Sequence, residues 1–116
     1  MLEYSIQAEN NTGGVYMDNG NYTVMIAGMA KVGMEDYVKR YFKKLMEHSR
    51  LDKGCLVYNI HQSIDNPTEF MVYMQWESKK AFEQHNLKPE MQEFKHKLAR
   101  EIFEEQSPKT YWHLLE

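Results

Sequence analysis

The segment from Glu69 to Glu77 constrains the fold most, because it reads as a β-strand with two apolar faces. Successive side chains of a strand point to opposite sides of the sheet. Phe70, Val72, Met74 and Trp76 therefore share one face, and Met71 and Tyr73 lie on the other. An antiparallel sheet with helices on one side and water on the other alternates cleanly between apolar and polar. This segment does not, and two more break the rule in the same way. Cys55 to Ser63 sets Leu56, Tyr58 and Ile60 against Cys55 and Val57, and Tyr22 to Lys31 sets Val24 and Ile26 against Met25 and Met29. A sheet made of such strands has to be covered twice, once by helices and once by something else.

The helices are legible between the strands. Met34, Tyr37, Val38, Tyr41, Phe42, Leu45 and Met46 repeat at three- and four-residue spacing, which predicts a helix to about Ser49. Asp65-Asn66-Pro67 has turn chemistry and makes the second and third strands a hairpin. Ser78 is placed to cap a further helix, which Pro89 interrupts. Beyond Pro89, Met91, Phe94, Leu98 and Ile102 share one face; Ser107-Pro108 ends that segment, and Thr110 to Leu115 closes as a last strand. The order is βαββαβ. With right-handed crossovers this gives an α+β, ferredoxin-like fold: a four-stranded antiparallel sheet with two helices on one face. The simplest cover for the other face is a second copy of the chain, since most soluble oligomers are symmetric homo-oligomers. The alternative cover is the N-terminal segment folded over its own sheet.

Composition narrows the function. The 116 residues suit one domain, read as 22–116, behind an extension at 1–21 that is either a tail or an extra hairpin. A net charge of −3, with acids and bases interleaved, gives no footprint for nucleic acid. No apolar run approaches the ~20 residues of a membrane helix. Met1-Leu2-Glu3-Tyr4 lacks the basic start and apolar stretch of a signal peptide, and Cys55 is the sole cysteine, so the expected location is cytoplasmic. His48, His96 and His113 make no ligand spacing with one another or with Cys55, so no metal is expected.

Three stretches carry a family resemblance: His61-Gln62-Ser63-Ile64-Asp65-Asn66-Pro67, Phe70 through Ser78, and Ala81-Phe82-Glu83-Gln84-His85. Together they resemble the antibiotic biosynthesis monooxygenase family, most closely its small quinol monooxygenases. The most specific piece is Gln75-Trp76-Glu77-Ser78 with His85 nine residues after the tryptophan. The resemblance implies a homodimer of the dimeric α/β-barrel type, with a pocket between sheet and helices. It also implies oxygenation without metal, flavin or haem, so no cofactor is expected. Several positions depart from common family patterns. Met74 stands where many members have glutamate, Glu90 where many have histidine, and Val72 where the anthrone-oxidising branch has asparagine. His85 stands where the haem-degrading branch has tryptophan, which argues against haem breakdown.

Ala81, Phe82 and His85 lie on one helical face, so His85 projects inward. Trp76 ends its strand on the face of Met74 and Val72, and both side chains are expected to border the space between helix and sheet. By spacing alone Trp76 reads as a core aromatic and His85 equally as a buried histidine satisfied by a carbonyl. The resemblance favours His85 as the catalytic base, without a carboxylate partner, and Trp76 as a wall. Met74 would add a soft lining, and Tyr73 or Asn59 would hydrogen-bond a phenolate. Dioxygen reacts slowly with closed-shell organics, so without a cofactor the substrate itself supplies the electron, and a hydroquinone does so best as phenolate. The expected activity is monooxygenation of a small quinol-like aromatic with O2. An isomerase or lyase acting on a small oxo-compound, or a dimeric binding module without turnover, are the alternatives. His61 is expected at the surface or against a partner subunit.

Overall fold

The computed structural model describes residues 22–97, 103–106 and 110–115. Its elements are β1 (Tyr22–Ala30), α1 (Glu35–Ser49), β2 (Cys55–Gln62), β3 (Glu69–Trp76), α2 (Lys79–Leu87), α3 (Pro89–Lys97), β4 (Phe103–Gln106) and β5 (Thr110–Trp112). The sheet runs β2-β3-β1, with β4 and β5 sharing the second edge of β1, and every pairing is antiparallel. It is four strands wide, with the ferredoxin-like order expected. The predicted extension 1–21 lies outside the described residues.

Each helix begins where chain chemistry allows. Glu35 and Asp36 place negative charge in the first turn of α1, where the helix dipole favours it. Val38, Phe42 and Leu45 are the buried part of its stripe. Ser78 caps α2 by accepting a hydrogen bond from the backbone N–H of Ala81 at 3.0 Å. Lys88 is extended (φ −63°, ψ 141°), as the residue before a proline prefers, and Pro89 starts α3 at a new angle. The interrupted helix is thus two helices, and the helix layer has three members among the described residues.

Register fixes the faces. Tyr22, Val24 and Ile26 stand opposite Trp76, Met74 and Val72, and these in turn stand opposite Cys55, Tyr58 and Ile60. That is the helix side, where Val24 and Trp76 are fully buried. The open side carries Met25, Ala27, Met29, Val57, Met71 and Tyr73, all half-buried, as the two-faced pattern requires.

Three details differ from the sequence reading. The pairing shifts between Cys55 and Val57, so Cys55 turns to the helix side and Leu56 is 52% exposed. A bulge inserts one unpaired residue, which simple alternation does not anticipate. Phe103–Gln106 is a strand, although helical spacing extended the preceding segment to Ser107. Gly28 and Met29 already pair with β3 on one side, and β4 satisfies the other edge of Gly28, Met29 and Ala30. The closing strand stops at Trp112 instead of Leu115. Leu98 and Ile102, read onto the face of α3, lie outside the described residues.

One glycine holds two elements together. Gly54 sits at φ +84°, and a Cβ there would lie 2.6 Å from Cβ of Ala81 in the first turn of α2. Its carbonyl accepts from the backbone N–H of Glu77 at 2.8 Å. The turn after α1 is therefore pressed against the start of α2. Gly33 has a similar φ of +91° but open space around it. Left-handed backbone costs an L-residue roughly 1–2 kcal/mol. Gly33→Ala is expected to lose about that much in urea unfolding, and Gly54→Ala clearly more because it adds the overlap. Equal losses would show that the turn does not press on α2.

Candidate active site

Between the helices and the sheet lies a cavity of about 250 Å³. Ile26, Val72 and Met74 line it from the sheet, and Phe42, Phe82, Met91 and Phe94 from the helices. The Phe42 ring meets Phe70 and Phe94 edge-on at 5.4 and 5.8 Å. The polar side chains of the lining are Tyr58, His85, Asn86 and Lys95. A dry cavity of about 150 Å³ accepts benzene, so this one has room for a ligand of one or two rings.

His85 is the centre of the site. It is 3% exposed and held between two rings, with Trp76 at 4.7 Å and Tyr58 at 5.6 Å between centroids. Its Nδ1 lies 2.6 Å from Oδ2 of Asp52. Asp52 comes from the turn that Gly54 presses against α2, and its side chain is 7% exposed. Lys88, just past the end of α2, donates from Nζ to the other carboxylate oxygen. Nε2 of His85 is buried and has no hydrogen-bond partner among the described residues.

The electrostatics define the protonation states. Burial lowers the His85 pKa below 6.5; the Asp52 hydrogen bond and charge oppose this, while Lys88 and Lys95 add to the lowering. Burial pushes Asp52 upward, but hydrogen bonds from Lys88 and His85, with their charges, outweigh it and hold the carboxyl below the usual range. A neutral imidazole beside an ionised carboxylate donates its Nδ1–H to it. The nitrogen on the far side, Nε2, then keeps its lone pair for the cavity. Such a ring accepts a proton. Burial drives the Tyr58 phenol above its ordinary pKa, only partly offset by a hydrogen bond with Ser49, so Tyr58 stays neutral. Burial and then the Asp52 charge push the Cys55 thiol up to about 11, away from thiolate chemistry.

The residues singled out from the sequence separate into two groups. His85 and Met74 line the cavity, but His85 has the carboxylate partner it was expected to lack. Trp76 is fully buried and does not line the cavity; it backs the His85 ring, and its Nε1 points to Met74 Sδ at 3.5 Å. Tyr73 and Asn59 stand opposite each other on the open side of the sheet, because both fall on the odd positions of the register. Tyr73 accepts from Gln75 at 2.9 Å, and Asn59 accepts from Arg50 at 2.9 Å. Neither lines the cavity. His61 is exposed on that same side. The sequence reading missed Asp52, Lys88, Tyr58, Asn86 and Lys95. Of these only Tyr58 had a signal, the apolar-face position it shares with Ile60.

Residues 21–97 match the family described as antibiotic biosynthesis monooxygenase. The chain belongs to the antibiotic biosynthesis monooxygenase family. Solved structures share its fold at low identity. Protein PA3566 of Pseudomonas aeruginosa aligns over 87% of this chain and 100% of its own, with a TM-score of 0.76 and 21% identity. Protein SO0527 of Shewanella oneidensis aligns over 83% and 93%, with a TM-score of 0.74 and 23% identity. A Deinococcus radiodurans protein described as a candidate antibiotic biosynthesis monooxygenase aligns over 82% and 93%, with a TM-score of 0.73 and 16% identity. Comparison with curated proteins finds no match. Among the described residues no helix is long and apolar enough to cross a membrane.

Proposed function

We propose that this antibiotic biosynthesis monooxygenase family member oxidises a small quinol-like aromatic with O2, using His85 as general base and no cofactor. The observation that carries the reading is the unpartnered, buried Nε2 of a histidine whose Nδ1 is engaged by Asp52, beside an apolar cavity of one- to two-ring size. Nε2 takes the phenolic proton as the ring passes one electron to O2. Superoxide and the aryl radical then join at a ring carbon bearing hydrogen. The imidazolium returns its proton to the peroxide, and loss of water leaves a carbonyl. In balance, a hydroquinone and O2 give a hydroxyquinone and water.

The thermodynamics constrain the first step. A phenol of pKa ~10 facing an imidazole of ~6.5 makes full transfer uphill by roughly 5 kcal/mol. Burial of His85 makes the ring less basic still, so the proton moves as the electron leaves, drawn by the loss of phenol electron density. Asp52 supports the developing imidazolium at Nδ1, as the carboxylate of a base–orienter pair does. The working unit is a homodimer in which a second copy covers the half-buried Met25, Met29, Val57, Met71 and Tyr73.

Oxygen uptake by the purified protein with a panel of hydroquinones tests the activity. A positioned base contributes about 10²–10⁴-fold to rate. His85→Ala is expected to lose about that factor and keep its fold, whereas His48→Ala, an exposed site on α1, is expected to be unchanged. Burial, aided by the charges of Lys88 and Lys95 and opposed by Asp52, sets the pKa of the ring below 6.5. Since only neutral His85 is a base, the rate is expected to hold above that value and fall as pH drops through the lowered pKa. Full activity in His85→Ala, or no acid limb, contradicts the assignment. Light scattering at micromolar concentration is expected to give twice the chain mass; a monomer overturns the dimer.

A further inference from the structure

The polar groups of the cavity are unevenly placed. Tyr58 and His85 are buried, and the Tyr58 hydroxyl is engaged by Ser49. Asn86 and Lys95 are half-buried and reach solvent, one near the end of α2 and the other on α3 beside Phe94. Lys95 has no ion pair among the described residues. Helical spacing toward the start of α3 offers it only Met91 and Gln92, neither of them an acid. A lysine at the rim of an apolar cavity can rest its stem on the lining and keep its ammonium available to a charge that a ligand brings. Lys88, its neighbour across the α2–α3 break, differs in being committed to Asp52.

We propose that Lys95, with Asn86, binds a fixed anionic group, such as a carboxylate, on the aromatic ligand of this cavity. The ring occupies the apolar body between Phe42, Phe82 and Met74, its reacting hydroxyl points to His85, and its anionic substituent lies at the mouth. The substrate class is thereby narrowed from quinols in general to aromatic acids. This rests on the reading of the cavity as the substrate site, but binding tests it without turnover.

Calorimetric titration with 2-naphthoate and with the neutral isostere 2-naphthamide makes the comparison. Charge-assisted hydrogen bonds favour the acid by about tenfold or more. Lys95→Met keeps the aliphatic stem and is expected to abolish that preference while binding the amide as wild type does, which also verifies its fold. Lys95→Arg is expected to restore most of it. His85→Gln is expected to keep the preference, so loss of oxygen uptake and loss of acid recognition are separate results. Equal affinity for the two probes in wild type, no binding of the acid, or a preference that survives Lys95→Met overturns the assignment.

Discussion

The hydrogen bond between Asp52 and His85 is the interaction on which the site depends. It joins residues 33 positions apart and ties the turn after α1 to the inner face of α2. Both partners are nearly inaccessible, and a buried carboxylate is tolerated only when it is paired and hydrogen-bonded. Lys88 supplies the compensating charge and His85 the second donor. The arrangement leaves one nitrogen of one ring without a partner beside an apolar cavity. Elsewhere among the buried side chains described, donors and acceptors are satisfied, so that orphan is the exception on which the proposed role of His85 rests.

The elements around the pair explain why it can exist. Gly54 lets the chain turn tightly enough to bring Asp52 to α2, with the first turn of α2 too close for any side chain at that position. The Lys88-Pro89 break ends α2 one turn past His85 and aims the ammonium back at the carboxylate. Trp76 and Tyr58 fix the plane of the imidazole from the sheet side. At the edge of the sheet, Arg50 donates from Nε to the Tyr58 carbonyl at 2.9 Å, so the C-terminal end of α1 anchors β2 near the same ring. Sheet, turn and helix break thus converge on one side chain.

How much of this the sequence reveals depends on the range of the interactions. Strand faces and helix stripes are local periodicities, and those of β1, α1 and β3 are visible in Val24, Phe42 and Trp76 without any tertiary information. The inward turn of His85 follows from its spacing to Ala81 and Phe82 for the same reason. Asp52 was invisible because its partner is distant in the chain and its own neighbours, Lys53 and Gly54, read as an ordinary turn. Tyr73 and Asn59 are candidates for hydrogen-bonding a phenolate by side-chain chemistry alone, yet register sends both to the open side. The bulge at Leu56 and the strand at Phe103–Gln106 answer to hydrogen-bond pairing across the sheet, which composition within a window does not report.

The central claim is that burial keeps His85 neutral while Asp52 fixes its proton on Nδ1, which leaves the lone pair of Nε2 available to the cavity. Long-range 1H–15N correlation spectroscopy of the histidine rings near pH 7 measures this directly. The expected spectrum shows His85 neutral and protonated at Nδ1. In Asp52→Ala the proton is no longer fixed there, and the His85 pKa moves lower still, because the carboxylate that opposes burial is gone. A His85 ring protonated at Nε2, or carried as imidazolium at that pH, would contradict the account.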